Sequence, residues 1–316
     1  MLCTPPPRWE GRCSLAKLAL LTSGGDAPGM NMALWAATQA ARERGWEALG
    51  VREGFAGLLR GDFLALDPSE TLRYARLGGT YLGTSRDPGF KAKLPQALEA
   101  LHTAGITHLM VLGGNGSLQG AKALAQAGIR VVGLPATIDN DVAGSEESIG
   151  FDTALNFGLL LLDQFRDTAE ALPRLCALET LGGSTGFLAR AVGQAGGADL
   201  VLLPEAPLPL EQLLAFIRTA IAQQRFALVV ASEGYPGLEV TLQALSEQAG
   251  LRLRFARPSH AMRGGRPSAR DRLLARGLAE AGVEYLAQSR SGAVLVQQGR
   301  PALVTFDQLE PHKAFY

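Results

Sequence analysis

Three times in the first half of the chain a short apolar run ends in a polar turn, and twice that turn opens a helical stretch. Leu18 to Thr22 leads into Ser23-Gly24-Gly25-Asp26 and a helical stretch from Met30 to Arg44. Thr107 to Leu112 leads into Gly113-Gly114-Asn115-Gly116-Ser117 and a helical stretch from Leu118 to Gln126. Val131 to Leu134 leads into Thr137-Ile138-Asp139-Asn140-Asp141. A helix between two strands carries the chain back to the start of the sheet, so this alternation predicts parallel βαβ units. Parallel strands present their carboxyl ends on one edge, where open α/β sheets bind ligands. The turns near residues 25, 115 and 139 are therefore expected to share one site.

A second unit of the same kind begins near Phe151. It has a helix from Ala154 to Arg166 and a strand from Arg174 to Leu178 that runs into Gly182-Gly183-Ser184-Thr185-Gly186. A further strand, Phe226 to Ala231, ends at Ser232-Glu233-Gly234. At 316 residues and 47% apolar composition the chain can bury two cores. The expected fold class is α/β, with two Rossmann-like parallel-sheet domains. Lys plus Arg and Asp plus Glu both number 30, so no charge excess points to nucleic acid or a membrane surface. No apolar run reaches the length of a spanning helix. Met1 to Lys17 carries three prolines and no apolar centre, which reads as a loose arm and not a signal peptide. Cys3, Cys13 and Cys176 are too few and too irregular for a disulfide framework or a zinc site, and a reducing cytoplasm is the expected setting.

Each turn has a plain reading and a chemical one. The glycines at 24, 25, 113, 114 and 116 either make tight turns or bring backbone N–H groups and a helix start close to an anion. Two such loops beside an acidic turn favour a polyphosphate cradle. Asp139 and Asp141 are either turn residues or a general base paired with a carboxylate that orders a metal ion. Arg254, Arg257, His260, Arg263 and Arg266 form either a solvated basic face or a phosphate-binding cluster. Glu233 is either a cap or an acceptor for sugar hydroxyls.

With those residues in view, the chain resembles the bacterial-type ATP-dependent 6-phosphofructokinases from about Leu18 to about Tyr285. Four segments carry the resemblance: Ser23 to Asn31, Gly78 to Arg86, Thr137 to Asp141 followed by Ile149 to Ala154, and His260 to Gly265. The resemblance implies the phosphofructokinase fold, with an amino-terminal arm over 1–17. It places a nucleotide-binding domain over 18–150 plus about 263–305, and a sugar-phosphate domain over 151–262 plus the carboxyl-terminal tail. It implies that Asp139 is the base for the 1-hydroxyl of fructose 6-phosphate, with Thr137 and Asp141 orienting the reacting groups. Gly25, Arg86, Gly116, Ser117 and Gly120 would bind ATP. Thr137, Arg174, Leu181, Gly182, Gly183, Glu233, Arg254, His260 and Arg263 would bind the sugar phosphate. Arg174 and Arg254 would serve a neighbouring subunit, which implies a homotetramer or at least a dimer. Mg²⁺ would enter with ATP near Asn115 and Asp141. Gly116 and Ala136 stand where the family separates ATP users from pyrophosphate users, and both are small, as ATP requires.

The departures from the family pattern are as informative. Asn115 replaces an aspartate that helps hold magnesium, and Gly183 replaces an arginine expected at the transferring phosphoryl group. Trp35, Gln39, Asp62, Ala222 and Gln224 stand where effector-binding cations belong, and of that set only Arg166 is kept. The chain also reaches Tyr316 without the family's usual last helices, so an abbreviated second domain is expected. These features predict a glycolytic 6-phosphofructokinase with weakened or altered catalysis and regulation. The alternative is a catalytically weak sugar-phosphate-binding paralogue in a regulatory role, against which the retained Asp139 speaks.

Overall fold

The structure, a computed structural model, describes residues 16–310 and 313–315. The expected arm over 1–17 therefore lies almost wholly outside the described residues. The strands are β1 (Lys17–Thr22), β2 (Glu47–Val51), β3 (Phe63–Ala65), β4 (His108–Gly113), β5 (Arg130–Pro135), β6 (Arg174–Thr180), β7 (Leu200–Leu202), β8 (Ala227–Ser232), β9 (Arg252–Ala256), β10 (Gly292–Gln297) and β11 (Arg300–Val304). The α-helices are α1 (Met30–Glu43), α2 (Gly54–Arg60), α3 (Pro68–Ala75), α4 (Leu94–Thr103), α5 (Asn115–Gln126), α6 (Phe151–Ala171), α7 (Phe187–Ala195), α8 (Leu210–Gln224), α9 (Leu238–Ala249) and α10 (Ala269–Ala287).

Two sheets result. The larger has seven strands in the order β11-β10-β5-β4-β1-β2-β3; the smaller has four in the order β7-β8-β6-β9. The central strands β5, β4, β1 and β2 are parallel, as are all four of the smaller sheet. β3 and β11 add antiparallel edges. β1 and β4 read as unbroken apolar runs because both of their faces are covered by helices. Alternate residues divide between two cores, as the two-residue period of a strand requires. Leu18 and Leu20 pack with α1 and α10, whereas Ala19 and Leu21 pack with α2, α4 and α5. The first of these cores continues into the smaller sheet through Cys176, Leu178, Leu228 and Val230. Cys176 is buried there, as its apolar neighbours predict.

The join between the two sheets is polar and specific. Ser268 caps α10 by accepting a hydrogen bond from the backbone N–H of Asp271 at 3.1 Å. The fully buried Asp271 carboxylate accepts from the N–H groups of Gly150 and Thr153, each at 2.8 Å, and from the Thr153 hydroxyl. This pins α10, which packs on the larger sheet, to the first turn of α6, which leads into the smaller one. Burial raises the Asp271 pKa, and the three hydrogen bonds that favour the carboxylate oppose it only in part.

Some element boundaries differ from the sequence expectation. The Gly113 to Ser117 segment is not a loop throughout. Gly114 is an extended N-cap, and α5 already begins at Asn115. α6 extends at both ends of the expected 154–166 helix: Gly150, in the left-handed region, starts it earlier, and it runs on to Ala171 before Leu172 turns extended. Ala27 and Pro28 pack so closely on Gly150 that a Cβ there would meet the Ala27 Cβ at 2.7 Å.

Candidate active site

β1, β4 and β5 are neighbours in the larger sheet, so the turns that follow them open side by side. They enclose a cavity of about 600 Å³, within the usual range for a small-molecule site. Gly25, Arg86, Asn115, Gly116, Ser117, Gly120, Ala136, Thr137, Asp139, Asp141 and Arg263 all line it. The amino-terminal turn of α5 forms one wall, so unpaired backbone N–H groups and a partial positive charge face the cavity.

The acidic turn is held by its own backbone. Asn140 adopts φ 50°, a left-handed conformation that asparagine tolerates. Its side-chain amide donates to the Glu146 carbonyl at 3.2 Å, and its Oδ1 accepts from Ser148 at 3.3 Å. Ser148 is shared with the Thr137 carbonyl, to which its hydroxyl points at 2.6 Å. The Thr137 hydroxyl accepts from the Asp139 N–H at 3.2 Å. The turn that carries Asp139 and Asp141 is thus a fixed kink, and both residues line the cavity.

Their environments differ. Asn115 donates through Nδ2 to Asp141 Oδ2 at 2.9 Å. Among the described residues, Asp139 Oδ1 is buried and accepts no hydrogen bond. The Arg263 guanidinium stands 4.0 Å from that oxygen, too far for one. Burial raises the Asp139 pKa; Arg263 opposes the rise, and the charges of Asp141 and Glu233 add to it. A carboxylate with a raised pKa and an unused oxygen is prepared to accept a proton from a ligand.

The sugar-side candidates are only partly gathered here. Leu181, Gly182 and Gly183 follow β6, and Glu233 follows β8, on the carboxyl edge of the smaller sheet. Glu233 Oε1 accepts from the Gly182 N–H at 3.1 Å and the Gly183 N–H at 2.8 Å. The buried Leu181 donates its N–H to Met262 Sδ at 3.4 Å. His260 is exposed, and its Nδ1 lies 3.2 Å from the Ser259 hydroxyl. Arg174 and Arg254 do not line the cavity. Arg174 begins β6, Arg254 is in register with Cys176, and both charges are felt by that thiol. Arg257, grouped with the phosphate cluster from sequence, is paired instead with Glu179 at 3.1 Å and Glu239 at 2.6 Å. Arg266 is exposed and does not line the cavity.

Other lining residues were not singled out from the sequence. Phe55 and Phe90 stack with centroids 4.2 Å apart and form an apolar wall. Gly120 is required there, since a Cβ would meet Phe55 Cζ at 2.5 Å. The signal was available in Gly120 itself, but its partner lies on α2, a helix the sequence reading did not mark. Asp87, Pro88, Lys91 and Gln119 complete the rim. The tail also approaches this region. Lys313 donates to the Glu146 carbonyl at 3.2 Å and lies 5.2 Å from the Phe187 ring centroid, while Phe187 packs on Phe315 at 4.9 Å.

Comparison with known proteins agrees with this geometry. The family model for phosphofructokinase matches residues 17–286. An ATP-dependent 6-phosphofructokinase from Tolumonas auensis is 38% identical over 299 residues, covering 94% of this chain and 93% of that one. The ATP-dependent 6-phosphofructokinase 1 of Thermus thermophilus is 38% identical over 287 residues, covering 89% of each. Among solved structures, the T-state phosphofructokinase of Pichia pastoris superposes with a TM-score of 0.90 at 29% identity. That match covers 96% of this chain but 36% of the yeast chain. A pyrophosphate-dependent phosphofructokinase from Marinobacter aquaeolei shares the fold, with a TM-score of 0.85 at 21% identity. The paired sheets, the shared cavity and this likeness along most of its length establish that the chain belongs to the phosphofructokinase family.

Proposed function

We infer that the chain is an ATP-dependent 6-phosphofructokinase, transferring the γ-phosphoryl group of ATP to the 1-hydroxyl of fructose 6-phosphate. The observation that carries this reading is Asp139. Its buried, unbonded oxygen belongs to a residue that lines a cavity walled by two glycine turns, close enough to Glu233 to feel its charge. Asp139 takes the hydroxyl proton, while Thr137 and Asp141 hold the turn and the reacting groups in place. Gly25, Gly116 and Ser117 offer backbone and hydroxyl groups to the phosphates, Arg86 adds charge at the rim, and Gly120 makes room for the Phe55 wall of the nucleotide site. Leu181, Gly182, Gly183, Glu233, His260 and Arg263 form the sugar-phosphate side. Arg174 and Arg254, which lie away from this cavity, serve a neighbouring copy in a homo-oligomer, at least a dimer and in full a tetramer.

ATP is favoured over pyrophosphate by the size of the cavity, the apolar Phe55 and Phe90 wall, and the small residues Gly116 and Ala136. Mg²⁺ fits the donor set. Among the described residues no group of three or more His, Cys, Asp or Glu gathers as a metal cage. Magnesium bound with a nucleotide needs only one or two carboxylates beside the phosphates. Asp141 supplies one, and Asn115 supplies a neutral oxygen once its amide turns. The ion would neutralise charge on the β- and γ-phosphates.

The positions expected to bind effectors are engaged within the chain. Trp35 lies under Arg276 at 5.8 Å, Gln39 bonds Glu43 at 2.8 Å, Asp62 faces Arg52 at 3.9 Å, and Gln224 bonds Asp199 at 2.9 Å. The retained Arg166 donates to the carbonyls of Gly196 and Gly197. Control by ADP or phosphoenolpyruvate is therefore weak or absent. No helix among the described residues is long and apolar enough to cross a membrane, and a cytoplasmic, glycolytic role is the fitting context. The test is production of fructose 1,6-bisphosphate from fructose 6-phosphate and Mg-ATP, followed over long times. Binding of fructose 6-phosphate with no product would sink the enzyme reading.

A further inference from the structure

We propose that the carboxyl-terminal tail is a strap between the two sheets, with Lys313 as a positioning residue that ties the acidic turn of the larger sheet to the start of α7 on the smaller one. The proposal rests on the kinase reading and adds to it a residue outside the four segments that carry the family likeness.

Three observations carry it. The first is the course of the tail. It leaves the larger sheet at the edge strand β11 and is anchored at once. Phe306 is buried in the core, and Lys122 Nζ reaches both the Phe306 carbonyl and the Asp307 carboxylate at 3.1 Å. Leu309 and Glu310 then share a small cavity with Asn115, Gly116 and Gln119, which also line the main one. Phe315 lies against the smaller sheet's helix α7, its ring 4.9 Å from that of Phe187 and 5.1 Å from the Arg190 guanidinium. Phe187 opens α7 directly after the Gly182 to Gly186 turn. The second observation is the oxygen that Lys313 reaches. Its ammonium donates to the Glu146 carbonyl at 3.2 Å, and the Asn140 side-chain amide donates to the same oxygen at 3.2 Å. Asn140 is the left-handed residue between Asp139 and Asp141, so one shared acceptor links the tail to the kink that carries both. Glu146 is itself fixed. Its N–H donates to the Val296 carbonyl at 2.9 Å, and its carboxylate accepts from the N–H groups of Gln298 and Gly299 at 2.8 Å and 3.0 Å. The third observation is what else surrounds the ammonium. It lies 5.2 Å from the Phe187 ring centroid, within the range of a cation–π contact. Asp141, Glu146 and Glu147 are near enough for it to feel their charges. Each of those carboxylates has a partner besides Lys313: Asn115 for Asp141, two backbone N–H groups for Glu146, and Arg270 for Glu147.

The consequence is one of alignment. Phosphoryl transfer needs the donor, on the turns of the larger sheet, and the acceptor hydroxyl, on the loops of the smaller, held at one separation. A displacement of about 1 Å can cost on the order of 10²-fold in rate. Loss of the Lys313 ammonium leaves the acidic turn its Asn140 bond but unties it from Phe187, so the turn keeps its shape and loses its fixed distance to α7.

The test is steady-state kinetics of the full-length variants Lys313→Met, Lys313→Arg and Phe315→Ala, with hydrogen exchange of the same proteins free of ligand and melting curves to show that each folds. Lys313→Met should lose about 10–10²-fold in kcat while its KM for ATP stays within about twofold, because the nucleotide turns lie on one sheet and only alignment is lost. Lys313→Arg should recover kcat to within about threefold of the wild type, since it keeps the charge, a donor and the contact with the ring. Phe315→Ala should lower kcat in the same sense. The double variant Lys313→Met/Phe315→Ala should fall no more than about twofold below Lys313→Met alone, as residues acting as one unit do. Backbone amides over residues 139–148 should exchange faster in Lys313→Met than in the wild type. A Lys313→Met kcat within about twofold of the wild type, a Lys313→Arg as slow as Lys313→Met, or single losses that multiply in the double variant would each overturn the proposal. An inactive wild type would sink the kinase reading and the part of Lys313 in that reaction. Exchange then decides the strap alone, and unchanged exchange over 139–148 in Lys313→Met overturns it.

Discussion

The carboxyl edges of the two sheets are prepared in opposite ways. On the larger sheet, Asp139 keeps a buried oxygen with no hydrogen bond among the described residues, and the neighbouring walls are backbone N–H groups and glycines. On the smaller sheet, Oε1 of the exposed Glu233 already accepts from Gly182 and Gly183, and His260 lies exposed. An unsatisfied buried acceptor costs roughly 1–3 kcal/mol, and a fold keeps such a group where a ligand completes it. An exposed carboxylate with one oxygen already bonded has no such need. The Asp139 edge is thus set before any ligand arrives, while Glu233 must release backbone N–H groups before that oxygen can accept from a ligand.

The sharpest way to break this contrast is to remove the waiting oxygen. Asp139→Ala should lower turnover by about 10²–10⁴-fold, the usual worth of a positioned general base, measured as initial rates of sugar bisphosphate formation. Next in size is the pin between the sheets. Asp271→Ala strands two N–H groups and a hydroxyl and should cost about 3 kcal/mol in denaturant unfolding, with the cleft loosened as a consequence. Asn115→Asp probes the proposed metal position on the prepared edge. It would set a second carboxylate against Asp141, so without divalent cation it should destabilise the fold by about 1 kcal/mol. With saturating Mg²⁺ it should raise kcat by about tenfold, which corresponds to 1.4 kcal/mol of transition-state stabilisation.

The smallest effect concerns stability and pH. Burial raises the Asp139 pKa in the folded state, so the unfolded chain loses this proton first as pH rises. Stability contributed by the protonated form is therefore lost between the unfolded and the folded pKa, and above both the ionised group is a net cost. Asp139→Asn should then melt about 1–2 °C higher than the wild type near neutral pH while losing turnover. The same shift places the acid limb of wild-type activity above the ordinary carboxylate range. A limb at an unshifted carboxylate pKa would show that the base is solvated.

The sequence made one edge far more legible than the other. β1, β4 and β5 are continuous apolar runs closed by turns, and runs of that kind form only where both faces are covered. That is why the sequence alone places the three turns on one edge. β9, by contrast, is Arg252-Leu253-Arg254-Phe255-Ala256, a half-buried strand whose arginines read as a charge cluster. β7 is three residues long, and β10 and β11 follow a long helix as an antiparallel pair, against the parallel rhythm that guided the reading. Asp139 was found from its turn, but its lack of a partner was not visible. The same holds for Arg263, whose contact with Gly25 joins opposite ends of the chain and has no local pattern. Arg257 looked equivalent to Arg263 from spacing, and only the fold shows one held by two glutamates and the other facing the base.

The most direct test of the account is product formation by the wild type and Asp139→Asn with fructose 6-phosphate and either Mg-ATP or Mg-pyrophosphate. Fructose 1,6-bisphosphate should form from ATP, with little from pyrophosphate, and Asp139→Asn should lose at least about 10²-fold. No product from ATP, or undiminished product in Asp139→Asn, would contradict it.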